Sequence, residues 1–430
     1  MQLYSTNKKS IKVELKEAVM QSLARDKGLY MPEVIPVLDK EFIGHIENYS
    51  FQEIAYIVCK NLIGDYIPNA DLKEIVDSAI NFPAPVIMLS ENIGSLELWH
   101  GPSLAFKDFG ARFMAALMSY FIKNENQQTT ILVATSGDTG GAVAAGFYKT
   151  LGIEVIILYP SGKVSDLQEK QLTTLGENIT ALEVEGTFDD CQALVKEAFL
   201  DPELNKKYHL SSANSINIAR LIPQSFYYFE AYKQVKKYGK EVVFSIPSGN
   251  FGNITAGLLA KKMGLPIKRF IAATNINKVV PDYLATGVYE PKPSVATISN
   301  AMDVGSPSNF TRILDLYDNN WDQISKDIIG FYLDDSATVL AVQEAYQKYQ
   351  YICDPHGAIG YKSLEHLGEN EIGIFLETAH PAKFLDTVED ALGQKIAIPD
   401  ALSSLIGKDK KSTLMDTSFA SFKAFLLSRN

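Results

Sequence analysis

Lys107 lies between Phe106 and Asp108 inside the run His100-Gly101-Pro102-Ser103-Leu104-Ala105-Phe106-Lys107-Asp108-Phe109-Gly110. Phe109, Phe113, Ala116, Leu117 and Tyr120 follow at helical spacing, so a helix is expected right after the lysine, with Asp108 as its N-cap. An ammonium in apolar surroundings at a helix start is disfavoured by desolvation and by the positive end of the helix dipole. Its pKa falls, and the neutral amine becomes a candidate nucleophile or general base. A lysine with apolar neighbours can also simply extend its head group to water. The residues alone leave both readings open.

Two glycine-rich loops could hold an anion. One is Thr135-Ser136-Gly137-Asp138-Thr139-Gly140-Gly141, the other Pro247-Ser248-Gly249-Asn250-Phe251-Gly252-Asn253. Each follows a β-prone run and opens a helical pattern, which aims free backbone N–H groups outward at the positive end of the helix. Neither fits GxxxxGK[ST] or GxGxxG, so a P-loop is excluded and a dinucleotide site is unsupported. One such loop is as readily a ligand-free turn; two on one sheet system favour an anionic ligand.

The elements around these loops alternate. Apolar runs at 131–135, 154–159, 179–185, 241–246, 269–274 and 372–376 read as strands, and 142–150, 165–174, 189–200 and 253–263 read as helices. That alternation predicts parallel sheets with crossover helices, apolar on both faces. Residues before about 95 read as mostly helical: Ala18, Val19, Met20 and Leu23 share one face, with Gly28 as the expected C-cap. The expected fold class is α/β, with two doubly wound, mainly parallel domains behind a mostly helical N-terminal section. The expected division is 1–95 for that section, 96–125 with 239–400 for a large domain, 126–238 for a small one and 401–430 for a C-terminal extension. The stretch 408–412 reads as a solvated charged loop.

Composition narrows the classes. The 430 residues carry 51 acidic and 40 basic side chains, a net charge of −11, so a nucleic-acid partner is not expected. At 46% hydrophobic and 21% charged, the chain is ordinary globular protein, long enough for two or three domains. Cys59, Cys191 and Cys353 are widely spaced and odd in number, which excludes a disulfide framework or zinc ribbon and suits a reducing compartment. Lys8, Lys9, Lys12, Glu14, Lys16 and Glu17 break up any signal-peptide core, and no apolar run approaches the ~20 residues of a membrane span. A cytoplasmic protein without a membrane partner is expected, and no motif specifies an oligomeric state.

Taken together, the segments resemble the pyridoxal-phosphate enzymes of the tryptophan-synthase-β fold (fold type II), and among them the long bacterial and fungal threonine synthase family. The resemblance is carried by 27–32 (KGLYMP), 82–85 (FPAP), 100–110, 134–140, 168–170 (QEK), 212–220, 247–253, 299–304 (SNAMDV) and 378–384 (TAHPAKF) in that order. It implies conversion of O-phospho-L-homoserine and water to L-threonine and phosphate. Lys107 matches the lysine that links to the cofactor and moves protons on the substrate. Gly249, Asn250, Phe251, Gly252 and Asn253 resemble the cradle for the phosphate of pyridoxal 5'-phosphate. Thr378 resembles the hydroxyl residue facing the ring nitrogen. Thr135, Ser136, Gly137 and Thr139 resemble the loop for the substrate carboxylate, and Asp138 falls where the cofactor's ring oxygen is met. An aspartate there would face another anionic oxygen unless a proton is shared. Asn214, Ser215 and Arg220 match the substrate-phosphate side, with Lys383 and His380 as weaker candidates. No metal site is implied. Two alternatives use the same residues: a phospho-lyase releasing 2-oxobutyrate, and a silent cofactor-binding relative, against which the intact Lys107, both loops and Arg220 argue.

Overall fold

The computed structural model describes residues 1–123, 128–135 and 137–429. Two parallel sheets form the body of the molecule. The larger has six strands in the order Ile328–Tyr332, Ile267–Thr274, Glu241–Pro247, Glu371–Glu377, Ile93–Glu97 and Val86–Met88. All its neighbours are parallel except the last pair, which is antiparallel with Ile87 opposite Ser95. The smaller has five parallel strands in the order Thr413–Met415, Ile179–Val184, Ile153–Pro160, Thr129–Ala134 and His209–Ser212. Every residue of Thr129–Ala134 and of Glu371–Glu377 is buried, as expected for central strands covered on both faces.

The front section is helical, with a small sheet added. Lys12–Glu14, Gln2–Ser5 and Tyr30–Pro32 form three antiparallel strands. The helix Phe51–Ile63 starts at a capping box: Ser50 accepts from the Glu53 amide, and Glu53 accepts from the Ser50 amide. Its buried residues Phe51, Ile54, Ala55, Val58, Cys59 and Leu62 keep one face. The helix carrying Ala18 and Val19 stops at Gln21, so Gly28 is not its C-cap. Gly28 is required for another reason: a Cβ there would lie 2.0 Å from Ser5 Oγ.

Two further expectations change. The strand Ile93–Glu97 spans the boundary drawn at 95, and Val86–Met88 pairs with it, so the larger sheet begins at Val86. The 408–412 stretch is not a free loop. Lys410 Nζ pairs with Glu169 at 2.7 Å and Glu183 at 2.6 Å, and the chain then adds Thr413–Met415 to the smaller sheet. A three-residue edge strand such as this one is too short to show the apolar run that betrays a central strand.

The helix Lys107–Ile122 joins the front section to both sheets. Phe109 is fully buried among Phe82, Tyr227 and Phe51, with ring centroids 4.7, 5.3 and 6.0 Å away. That cluster fixes the helix start two residues beyond the lysine. Burying a phenylalanine this completely contributes about 2–3 kcal/mol.

Candidate active site

The loops after Thr129–Ala134, His209–Ser212, Glu241–Pro247 and Glu371–Glu377 converge on the start of Lys107–Ile122. This is the position beyond the C-terminal strand ends where parallel sheets place ligands. Lys107 is the first residue of its helix, not the residue before it. The entry is fixed from the larger sheet: the Phe106 amide donates to the Thr378 carbonyl at 2.8 Å, and Ala105 bridges Ala379. Asp108 therefore sits within the first turn instead of capping it. It is buried and accepts from the Ser103 amide at 2.8 Å, which ties down the 101–106 turn. Gly101 is needed there because a Cβ would meet Asp108 Oδ2 at 2.4 Å. Burial raises the Asp108 pKa to about 6, against the pull of the Ser103 hydrogen bonds.

The Lys107 amine is lowered to about 8, chiefly by burial. Asp138 opposes that shift, while Arg220 and Lys383 add to it. This is an amine poised near neutrality, the property expected of a nucleophilic or proton-carrying lysine.

Asp138 opens the helix Asp138–Phe147. Its Oδ1 pairs with Lys383 Nζ at 2.7 Å and accepts from Gln168 Nε2 at 2.9 Å. Lys383 is wholly buried, and its remaining contact is the Ser103 carbonyl at 2.8 Å. Burial alone would raise the Asp138 pKa; Lys383 first, then Lys107, holds it well below the usual carboxylate range. The charge conflict expected at Asp138 is thus met by a cation from the other sheet. Gln171 Nε2 reaches the same Ser103 carbonyl at 2.9 Å, so two small-sheet helices are fastened to the 101–106 turn.

The two glycine loops differ in build. In the first, Thr135 Oγ1 accepts from the Gly140 amide at 2.8 Å and the Gly137 amide at 3.1 Å, so this hydroxyl organises the turn itself. Gly137 has φ of 142°, and a Cβ there would strike the Gln168 amide at 2.8 Å. Thr139 is half-buried in the first turn of the helix, and Ser136 lies outside the described residues. In the second, Phe251 adopts φ of 60° before the helix Gly252–Lys262, which no side chain caps. Holding a phenylalanine there costs about 1–2 kcal/mol. Its burial and its edge contact with Phe310 at 6.3 Å help to hold it in place. Asn253 Oδ1 accepts from Ser248 Oγ at 2.8 Å and its Nδ2 donates to the Pro247 carbonyl at 2.7 Å, closing the turn. Gly249 faces the 301–302 backbone, where a Cβ would lie 2.4 Å from the Ala301 carbonyl.

The 214–220 segment bridges the sheets. Asn214 Nδ2 donates to the Ala134 carbonyl at 3.2 Å, and Ser215 Oγ accepts from Asn250 Nδ2 at 2.5 Å. Arg220 is buried against Gly110; one Nη donates to the Ala213 carbonyl, while its Nε is buried with no partner among the described residues. Burial lowers its pKa to about 10, which leaves it cationic at neutral pH. Thr378 is buried beside the Lys107 entry. His380 accepts from the Ala382 amide at 3.1 Å, and burial lowers its pKa to about 4, so it is neutral. His100 pairs with Glu97 at 2.8 Å and stacks on Trp99 at 4.1 Å. Sequence reasoning missed Ser103 and Gln171; nothing in their local patterns marks a distant partner.

The family model for pyridoxal-phosphate dependent enzymes matches residues 96–376; those for the threonine synthase N terminus and C-terminal region match 2–80 and 357–426. The threonine synthase of Haemophilus influenzae is 48% identical, covering 99% of this chain and 100% of that one. The crystal structure of threonine synthase from Escherichia coli has a TM-score of 0.94 at 43% identity, covering 100% of both chains. A pyridoxal-phosphate-bound threonine synthase from Brucella melitensis has a TM-score of 0.93 at 34% identity, covering 99% of this chain and 98% of that one. Matched along its whole length in both sequence and fold, the chain belongs to the threonine synthase family of pyridoxal-phosphate-dependent enzymes.

Proposed function

We propose that this protein converts O-phospho-L-homoserine and water to L-threonine and phosphate in the cleft between its two sheets. The observation that carries this reading is the lowered, half-buried Lys107 amine, surrounded by Asp138, Arg220 and Lys383. The residues suit pyridoxal phosphate. Gly249 leaves no room for a side chain, and the first turn of Gly252–Lys262 is uncapped; Arg220 Nε, buried with no partner among the described residues, suits the substrate phosphate instead.

In this reading Lys107 Nζ would hold the cofactor, and Gly249, Asn250, Phe251, Gly252 and Asn253 would hold its phosphate. Thr378, a neutral hydroxyl, and Asp138, paired with Lys383, would hold its ring. The bound cofactor supplies an electron sink for carbanion chemistry. The Lys107 amine is the group that would remove the proton from the substrate α-carbon and return protons further along the chain. Thr135, Ser136, Gly137 and Thr139 face the substrate carboxylate. Asn214, Ser215 and Arg220 hold the substrate phosphate, for which the planar guanidinium fork is suited. The helix dipoles of Asp138–Phe147 and Gly252–Lys262 add positive potential inside an acidic molecule.

We also read the chain as a front section up to about 85, a large domain around the six-stranded sheet and a small one around the five-stranded sheet, completed by the C-terminal extension. Among the described residues no helix is long and apolar enough to cross a membrane, and the cysteines are buried and unpaired. Both observations support a cytoplasmic enzyme.

The test is a product assay with O-phosphohomoserine. Phosphate and threonine should appear in equal amounts; phosphate accompanied mainly by 2-oxobutyrate would replace this reading with an eliminating lyase. Arg220→Leu should weaken O-phosphohomoserine by about a hundredfold, the value of a buried charge-assisted contact, and an analogue lacking phosphate far less. Equal losses for both ligands would remove Arg220 from the phosphate site.

A further inference from the structure

Behind the cofactor cradle lies a buried polar network that the reaction above does not use. Asp354, His356 and Glu377 are 0, 2 and 0% exposed. Asp354 caps the helix Pro355–Lys362, its Oδ1 accepting from the His356 amide at 2.7 Å, and the same oxygen lies 2.6 Å from His356 Nδ1. On the other side of the ring, the Ala301 amide donates to His356 Nε2 at 3.2 Å. A backbone amide can only donate, so Nε2 bears no proton, and Nδ1 must carry it toward Asp354. Phe384 packs on the ring at 4.9 Å and completes its confinement.

The chain continues from both ends of this network. Ala301 is the residue whose carbonyl closes off the side-chain space at Gly249. Glu377, which accepts from the Asp354 amide at 3.3 Å, directly precedes Thr378. Asp354 Oδ2 and Glu377 Oε1 are both buried with no partner among the described residues, which favours a protonated carboxyl in the pair. In keeping with that, burial and then Asp354 push the Glu377 pKa well up, while His356 holds Asp354 down against burial.

We propose that His356 is a positioning residue: oriented by Asp354, it receives the Ala301 amide and holds the 299–303 segment as the wall behind Gly249. The proposal rests on the reading of the Gly249 loop as the cofactor cradle. Packing and hydrogen bonding make opposite predictions for two substitutions. His356→Phe keeps a ring against Phe384 but strands the Ala301 amide. His356→Gln loses the ring but can accept from Ala301 and donate to Asp354.

The experiment measures pyridoxal-phosphate affinity of the cofactor-free protein by equilibrium titration of the lysine-linked absorbance band. It is combined with nitrogen-15 spectra of histidine-labelled protein, in which His356 is assigned by its loss in His356→Gln. Expected is an Nδ1-protonated His356 in the wild type, affinity weakened about tenfold or more in His356→Phe, and affinity near wild type in His356→Gln. An Nε2-protonated ring would overturn the proposal, and so would His356→Phe binding as well as His356→Gln. A wild type with no lysine-linked band would refute the cradle reading instead, while the tautomer in the cofactor-free protein still tests the orientation of His356.

Discussion

Replacing Lys107 by alanine is expected to abolish the absorbance band of the lysine-linked cofactor and to lower threonine formation by about a thousandfold or more. In the proposed function the amine would serve as both covalent anchor and proton carrier, and each role alone is worth orders of magnitude. Lys107 is the first residue of its helix, while Phe109 anchors that helix from within the core, so alanine should leave the fold intact. In the wild type the pH dependence has a defined sign. The amine pKa is lowered to about 8, so the reactive neutral form grows as pH rises and saturates above that value. Cofactor capture by the cofactor-free protein should therefore accelerate between about pH 6 and 9 and then level off. An unchanged yellow spectrum in Lys107→Ala, or a capture rate flat across that range, would contradict the assignment.

Lys383→Met is expected to destabilise the protein by about 3–5 kcal/mol, because it removes the cation that pairs directly with the buried Asp138 carboxylate. The pair is only 0 and 6% exposed on its two side chains, so water cannot replace the lysine. Adding Asp138→Asn should recover most of that loss, since an amide needs no counter-charge and still accepts from Gln168. The test is equilibrium urea unfolding of the wild type, both single variants and the double variant, read as a mutant cycle. A loss below about 1 kcal/mol for Lys383→Met, or a double variant no more stable than it, would show that the ion pair does not clasp the two sheets.

Much of the site was legible because its signals are local. Glycines 137, 249 and 252 follow from turn geometry, and Lys107 stands out by its apolar neighbours, both within a few residues. The central strands announced themselves as continuous apolar runs, whereas His209–Ser212 and Thr413–Met415 are too short for such a run, and Ile328–Tyr332, though apolar, is an edge strand with a glycine at its centre. Asp108 shows where local reading fails. Helical spacing from Phe109 made it a cap, but the bond from Phe106 to Thr378 starts the helix at Lys107 and turns Asp108 inward to Ser103.

The sequence by itself determined the α/β alternation, the glycine loops, a lysine in an apolar run at a helix start and the order of motifs that carries the family. Tertiary structure alone decided which charges meet: Lys383 with Asp138, Arg220 against Gly110, and His356 between Asp354 and Ala301. The reason is the cost of burying a charge. A side chain's own neighbours cannot tell whether that cost is met, because here the compensating group arrives from another sheet, brought there by the packing of the whole chain.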